Sequence, residues 1–303
     1  MRAQLVSIAV VGALLCGCGA GPATIGAGPA SPADPHLRGT ARQQPTPGSA
    51  VGVAQAIAAR WSAPGTLVPA LNIPIEFRTL DYTATVFNPG SPEGFTAFIT
   101  TRHTMLVTTT SAATIVASNG ASARFATPAD QAMWRAAGHP SLGQAPGTGV
   151  TQTIPAGQYT FLPQGSTLTY RQAAALPADR DSLAAVLAHH LSAYAGPHPP
   201  ASLELKQVAY LIATAPLTNE VRAAAWQVMA SLPGLRICRN PPGQVRLGTI
   251  ELCIDSVGDE TLVNVNPDTG AIVTIADRLM QTSPAYPHVA GGTIVGSSTF
   301  LSG

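Results

Sequence analysis

Charged side chains are scarce in this chain of 303 residues. Asp, Glu, Lys and Arg make up 10% of it, whereas they account for about a quarter of an average soluble domain. Arg2 is the only charged residue among residues 1–17, so one of the 16 basic residues lies there and 15 basic and 15 acidic residues remain. A neutral chain without basic clusters lacks the electrostatic surface of a nucleic-acid-binding protein. Nucleic acid is therefore not a predicted partner.

Motifs of the common enzyme classes are also missing. The sequence has no Gly-x-Ser-x-Gly elbow, no His-Glu-x-x-His, no P-loop and no Gly-x-Gly-x-x-Gly turn. His190 falls on the apolar face of a predicted helix and His189 does not, so the two are poorly placed to share a metal ion. The other histidines are predicted to be structural: His36, His103, His139, His198 and His288. The sequence therefore predicts no enzyme, no metal site and no cofactor.

The N-terminus carries the strongest signal in the sequence. Arg2 precedes an apolar run of 11 residues, Leu5 to Leu15, which is too short to span a bilayer, because a spanning helix needs about 20. The run fits the apolar part of a secretory signal. Leu15-Cys16-Gly17-Cys18 resembles the lipobox of bacterial lipoproteins, which implies cleavage after residue 17 and a diacylglyceryl group, carrying fatty acyl chains such as palmitate, on Cys18. An ordinary cleaved signal peptide and an uncleaved anchor are the alternatives.

The next segment predicts a tether. Residues 18–50 begin with the lipidated cysteine and then consist mostly of Gly, Ala, Pro, Ser and Thr without hydrophobic periodicity. A flexible chain of this length has a root-mean-square span on the order of 30 Å. The predicted organisation is a lipoprotein signal peptide over 1–17, a disordered tether over 18–50 and one extracytoplasmic domain over 51–303, held on the outer side of the cell membrane.

Two cysteines remain beyond the tether, Cys238 and Cys253. They lie in two predicted strands on either side of a Pro-Pro-Gly turn, and antiparallel pairing of those strands could bring them within disulfide range. A bridge that closes a loop of about 15 residues contributes roughly 3 kcal/mol. Two buried free thiols are the alternative. We see no histidine or acidic pattern beside them, and therefore no metal site.

Hydrophobic periodicity and turn residues predict the architecture. Val51–Trp61 is a first helix, and residues 73–125 form an antiparallel meander in which Asn119-Gly120 is a hairpin turn. Thr127-Pro128 begins a helix, residues 138–158 are a loop, and three helices follow over roughly 179–232. The tail returns to strands, with Asn266–Gly270 as a hairpin turn. The predicted fold is α+β: a curved antiparallel sheet packed against a central set of helices.

Four segments together resemble an uncharacterised family of actinobacterial envelope proteins. They are ATIVASNGASARFATPADQAMWRAAGHP (113–140), LTYRQAAALPADRDSLAAVL (168–187), PLTNEVRAAAWQVMASLPGLRI (216–237) and VNPDTGAIV (265–273). Members of that family often have one membrane span and an extracytoplasmic domain, and their genes often lie beside those of extracytoplasmic-function sigma factors. Here a lipobox stands where they have the span, and Asn266-Pro267 stands where they usually have Asp-Pro. The resemblance implies architecture and location rather than chemistry.

Three hypotheses for the function follow. The first is a membrane-anchored, non-enzymatic binding module for an apolar ligand or an envelope protein, with any lipid cavity between the concave sheet face and the helices. The second, which rests on the resemblance, is an envelope-stress sensor or regulator that acts through protein contacts. The third is a hydrolase with an unrecognised site, which the shortage of titratable residues disfavours.

Overall fold

The computed structural model describes most of the chain beyond the N-terminal segment. The described residues are 48–63, 75–87, 94–107, 114–140, 142, 150–154, 168, 172–173, 175–215, 217–238, 248–286 and 288–302. Cys18 and nearly all of the predicted tether lie outside them. None of the helices in the described part is long and apolar enough to cross a membrane.

Five helices and nine strands form in the described part of the chain, so the fold is α+β, as predicted. The helices are α1 (Ala50–Trp61), α2 (Pro128–Ala136), α3 (Arg180–Ala195), α4 (Ala201–Thr214) and α5 (Asn219–Ser231). The strands are β1 (Ile75–Phe87), β2 (Phe95–Val107), β3 (Thr114–Phe125), β4 (Val150–Ile154), β5 (Arg236–Ile237), β6 (Ile250–Asp255), β7 (Asp259–Val265), β8 (Ile272–Leu279) and β9 (Ile294–Ser302).

The helices begin where the sequence supplies a capping side chain. Ser49, Thr127, Asp179 and Thr218 each accept a hydrogen bond from a backbone N–H in the first turn of α1, α2, α3 and α5. Such a bond satisfies one of the N–H groups that a helix start leaves unpaired, and it is worth about 1 kcal/mol. The predicted starts at Thr127-Pro128 and Asp179 are thereby confirmed.

All nine strands belong to one sheet in which the described neighbours pair antiparallel. The strand order is β4-β3-β2-β1-β9-β8-β7-β6-β5. The last strand, β9, therefore lies between β1 and β8 and joins an N-terminal half-sheet to a C-terminal one. The sheet is antiparallel, as predicted, whereas its curvature stays a prediction.

Two sequence predictions in the first half were wrong. Asn119-Gly120 does not turn the chain: β3 runs continuously through it, and the register against β2 shifts between Thr101 and His103. The pair thus provides the extra residue of a β-bulge, another place where a short polar residue and a glycine are tolerated. Residues 138–158, predicted as a loop, contain β4, which pairs with β3 over Thr114 to Ser118.

The main hydrophobic core lies between the helices and one face of the C-terminal half-sheet. From the strands it contains Leu252, Ile254, Val263, Val265, Ile275 and Phe300, and its largest helical side chain is Trp226, which is fully buried. We call this face of β6 to β9 the inner face. Because successive strand residues point to opposite sides, the residues between these core positions form an outer face.

The β7–β8 turn is held against α1 by a close approach that needs glycine. Gly270 has a φ of +69°, and a Cβ there would lie 2.5 Å from Ile57 Cγ2. Arg60 reinforces this contact, since its guanidinium donates to the carbonyl oxygens of Pro267 and Asp268. The turn predicted at Asn266–Gly270 is confirmed, and its position fixes one end of β7 and β8.

Candidate functional site

The outer face of the C-terminal half-sheet carries a cleft of about 260 Å³. Its volume lies just below the range of about 300 to 1,000 Å³ that is typical of small-molecule sites. The lining is contributed by β6, β7, β8 and β9 and by the residue before β6: Thr249, Glu251, Leu262, Asn264, Val273, Thr274, Ala276, Ile294, Ser297 and Thr299. Four adjacent strands thus build the described floor of the cleft.

Strand register arranges the outer face in three rows that run across the strands. Directly paired residues share a face, so each row follows from the pairing. The polar row is Glu251, Asn264, Thr274 and Thr299; the middle row is Cys253, Leu262, Ala276 and Ser297; the charged row is Asp255, Glu260, Arg278 and Ile294.

Side chains in the polar row interact with one another. Asn264 Nδ2 lies 3.4 Å from Glu251 Oε2, and the hydroxyl oxygens of Thr274 and Thr299 lie 3.4 Å apart. Glu251 is only 6% exposed. Burial raises the pKa of Glu251, repulsion by Glu260 adds to the effect, and the attraction of Arg278 and the Asn264 contact only partly offset it, so the net shift is upward.

The middle row is apolar along most of its length and well buried. Cys253, Leu262 and Ala276 are each at most 5% exposed and belong to a small hydrophobic cluster with Cys238. Ile294 packs against this cluster from the neighbouring row. A molecule in the cleft would therefore meet hydroxyl, amide and carboxyl groups on one side and aliphatic groups beside them.

The charged row satisfies its own charges. Glu260, which is 1% exposed, accepts hydrogen bonds from two guanidinium groups: Arg236 at 2.5 Å, and Arg278, whose Nε lies 3.0 Å away. Arg236 also donates to Asp255 at 2.5 Å. Charge-assisted hydrogen bonds between guanidinium and carboxylate groups are among the strongest in proteins. These groups fix β5, β7 and β8 to one another and leave little charge for a substrate.

The two cysteines predicted to pair lie at the edge of this face. Cys238 and Cys253 are at disulfide distance, with their Cα atoms 5.9 Å apart. The bridge ties the end of the short edge strand β5 to β6. Glu260 Oε1 lies 3.1 Å from Cys238 Sγ, an acidic neighbour that sequence reasoning missed, since it follows Cys238 by 22 residues.

Among the described residues, one group of side chains has the spacing of a metal site: Cys238, Cys253 and Glu260. The two sulfurs form a disulfide bond, and the carboxylate of Glu260 accepts hydrogen bonds from two guanidinium groups. A metal ion needs free thiolates and would be repelled by both arginines. The arrangement is therefore a bridge beside an ionic cluster.

A second cavity, of about 300 Å³, lies between the end of α1 and the β7–β8 turn, lined by Ile57, Arg60, Trp61, Asp268 and Thr269. Arg60 already donates to two carbonyl groups of that turn. Asp268, on the other side, is 87% exposed. The cavity is a gap beside a packing contact and is a weaker candidate than the cleft.

His288 has a polar partner at hydrogen-bond distance. Its Nδ1 lies 2.9 Å from Oδ1 of Asp130, which also accepts hydrogen bonds from Thr96 N at 2.9 Å and from the Thr127 hydroxyl. Burial raises the pKa of Asp130, but these hydrogen bonds lower it by more, so the net shift is downward. The cluster joins β2, the start of α2 and the β8–β9 loop, which is a structural role.

His189 and His190, the histidine pair considered in the sequence, lie side by side on α3 with ring centroids 6.0 Å apart. Burial and the neighbouring His189 ring lower the pKa of His190.

The residues that line the cleft were not singled out from the sequence. Their signal is the alternation Glu-x-Cys-x-Asp in β6 and Glu-x-Leu-x-Asn in β7, which reveals a face only once the two strands are placed in register.

The cleft does not lie where the sequence predicted a cavity. The expectation was a space between the concave sheet face and the helices, but in the described part that space holds the main core, with Leu205 and Trp226 fully buried.

Comparisons with protein-family models, with curated proteins and with solved structures found no match. The resemblance to the actinobacterial envelope family therefore stays a prediction.

Proposed function

We propose that this chain is a lipoprotein, held outside the cell membrane by a lipid on Cys18, whose folded part binds a small amphipathic molecule in the outer-face cleft. One observation carries the binding proposal. The cleft floor sets a row of hydrogen-bonding side chains directly beside a row of aliphatic ones. Ligand sites combine apolar lining with a few placed polar groups in this way.

A binding module fits the chemistry of the cleft better than an enzyme does. Glu251 is the one ionisable residue among the described residues that line it. Acid–base or nucleophilic catalysis needs two or more reactive groups that converge on one point. The nearest cluster of ionisable groups, around Glu260, is occupied by its own ion pairs.

The anchor is tested by labelling cells with a radioactive or clickable fatty acid. We expect Cys18→Ala to abolish the label on the chain, because the thiol of residue 18 is the proposed acceptor. Cys16→Ala is the matched control and should keep the label, since Cys16 would leave with the signal peptide. Label that survives Cys18→Ala would refute the anchor.

The cleft is tested on the full processed chain, purified in a non-ionic detergent. Native mass spectrometry followed by solvent extraction should release a bound small molecule from the wild type. Thr299→Leu places a branched aliphatic side chain in the cleft, removes a hydroxyl group and should reduce occupancy about tenfold or more, the cost of one lost contact plus steric overlap.

Thr282→Leu is the control for this substitution, because Thr282 is exposed on the β8–β9 loop outside the cleft. It makes the same chemical change and should leave occupancy unaltered. Equal occupancy in the Thr299→Leu variant and the wild type would show that the molecule binds elsewhere, and a chain that never carries a small molecule would contradict the binding proposal.

A further inference from the structure

Two β-bulges shape the cleft, one on each side of the middle row. In β8 the pairing with β7 skips Val273, and both Val273 and the next residue, Thr274, line the cleft. In β9 the pairing with β8 skips Val295. Ile294 and Ser297 would point to opposite faces of a regular strand, because they are three residues apart, but the bulge between them brings both into the lining. Bulges are common beside functional sites, where they redirect side chains.

The charges in and around the cleft already interact within the protein. Glu251 is the one ionisable residue among the described residues of the lining. Its Oε2 lies 3.4 Å from Asn264 Nδ2, and Arg278 attracts it through space. Arg278 is itself hydrogen-bonded to Glu260. A charged ligand would have to compete with these contacts, and an unpaired charge beside the aliphatic middle row is costly. The cleft therefore favours an uncharged ligand group.

Most of the polar lining is neutral and can both donate and accept hydrogen bonds. It consists of one amide and four hydroxyl groups, from Asn264 and from Thr249, Thr274, Ser297 and Thr299. An amide has separate donor and acceptor atoms, and a hydroxyl group has both roles on one oxygen. A hydroxyl group on a ligand has the same double capacity and needs no counter-charge. Hydroxyl groups are therefore the ligand chemistry that this lining complements.

The length of the polar row indicates more than one such group. Asn264, Thr274 and Thr299 lie on three neighbouring strands, β7, β8 and β9. Neighbouring strands are about 4.8 Å apart, so these three side chains extend over roughly 10 Å. One ligand hydroxyl group forms hydrogen bonds of about 2.8 Å and cannot reach all of them. A head with two or more hydroxyl groups matches the row.

From this arrangement we infer that the cleft binds the uncharged head of an amphiphile that carries two or more hydroxyl groups. The head donates to and accepts from Asn264, Thr274 and Thr299, while the first part of the apolar chain lies against Leu262 and Ala276. The inference rests on the proposed binding function and names the ligand class for that same cleft. A glycerol head and a sugar ring share this chemistry.

Five probes with the same six-carbon chain test the inference: 1-O-hexylglycerol, hexyl glucoside, 1-hexanol, hexylammonium and hexanoate. Each is titrated by calorimetry against the full processed chain in an amine-oxide detergent, whose head has no hydroxyl group and cannot imitate the ligand. The Thr299→Leu variant in the same detergent corrects for partition of each probe into micelles. We expect a polyol probe to bind about fivefold or more tightly than 1-hexanol, as one further hydrogen bond implies, and both charged probes to bind more weakly than 1-hexanol.

The decisive variant is the double substitution Thr274→Val and Thr299→Val, which removes two hydroxyl groups and keeps the shape of the cleft. It should abolish the preference for a polyol probe and leave the binding of 1-hexanol within about twofold, since the aliphatic contacts remain. Thr282→Val, the same change on the exposed β8–β9 loop, is the control and should keep the preference. Tighter binding of 1-O-hexylglycerol than of hexyl glucoside identifies a glycerol head, and the reverse order identifies a sugar ring; either supports the class.

Three results would overturn parts of this account. If hexylammonium or hexanoate binds as tightly as the polyol probes, the ligand is not an uncharged one and the class is refuted. If 1-hexanol binds as tightly as they do, or if their preference survives the double substitution, the polyol head is refuted while the binding function stands. If none of the probes binds in a way that Thr299→Leu prevents, the proposed function itself fails.

Discussion

The two faces of the C-terminal half-sheet have the same strands and opposite chemistry. On the inner face, Leu252, Val263 and Ile275 meet helices and form a continuous apolar core. On the outer face, polar and charged side chains and one disulfide alternate with a short aliphatic row that includes Leu262 and Ala276, and several of these residues are equally buried. Burial by itself therefore does not distinguish a packing face from a binding face. The distinction lies in whether the buried groups are satisfied by one another or still offer contacts within a cleft.

The largest effect is expected on the inner face. Trp226→Ala removes a fully buried ring from the core and should lower the free energy of unfolding by about 4 kcal/mol, the usual cost of a large aromatic cavity. Urea unfolding monitored by circular dichroism measures the loss. Trp134→Ala is the matched control: Trp134 is partly exposed on α2 and contacts the Phe125 ring at 5.2 Å, so we expect less than half of that loss.

A smaller effect is expected from the charged row of the outer face. Glu260→Gln leaves the guanidinium groups of Arg236 and Arg278 without their shared buried carboxylate and should cost about 3 kcal/mol. Asp255→Asn removes another partner of Arg236, but Asp255 is 61% exposed, so its loss should be below about 1 kcal/mol. Equal losses in the two variants would show that this row is not an internally satisfied ionic cluster.

The smallest effect concerns the pH dependence of stability. Burial raises the pKa of Glu251 above its usual value of 4.5, so its contribution is full below that value and is lost as the pH rises through the folded-state pKa. Glu251→Gln removes this loss. The variant should therefore gain stability relative to the wild type as the pH rises above 4.5, as measured by urea midpoints at several pH values.

The Asp130→Asn variant should show the opposite pH dependence of stability in the same experiment. Hydrogen bonds outweigh burial and lower the pKa of Asp130 below 3.8, so its contribution is present above that value and lost as the pH falls through the folded-state pKa. This variant should be less stable than the wild type at neutral pH, with a difference that shrinks in acid. Parallel pH profiles for both variants would contradict the assignment of the two carboxyl groups to different environments.

Local signals in the sequence were sufficient for most elements of the fold. Capping residues such as Thr127 and Asp179 identify helix starts because the cap acts within three residues. Asn119-Gly120 misled the prediction because a bulge and a hairpin use the same residue types, and only the pairing with β2 separates them. Strand β4 lies in a stretch of Thr, Gln and Gly whose partner strand is distant in sequence.

The cleft could not be predicted because it is a property of register. Glu251, Asn264, Thr274 and Thr299 come from four strands, and each is an unremarkable polar residue in its own segment. The alternation of side chains along each strand predicts that these four point away from the core, but it does not predict that they lie in one row. Glu260 was missed beside Cys238 for the same reason, since the contact depends on how β5, β6 and β7 are aligned.

The central position of β9 has a consequence for the order in which the chain is made. β1 is synthesised early, yet one of its two edges waits for β9, and Phe77 finally pairs with Ser302. Until then β1 and β8 each present an open strand edge, a template for aggregation. Contacts between residues so far apart in sequence also form slowly. A chain that ends before Ile294 would expose both edges at once, so loss of β9 alone should make this protein prone to aggregation.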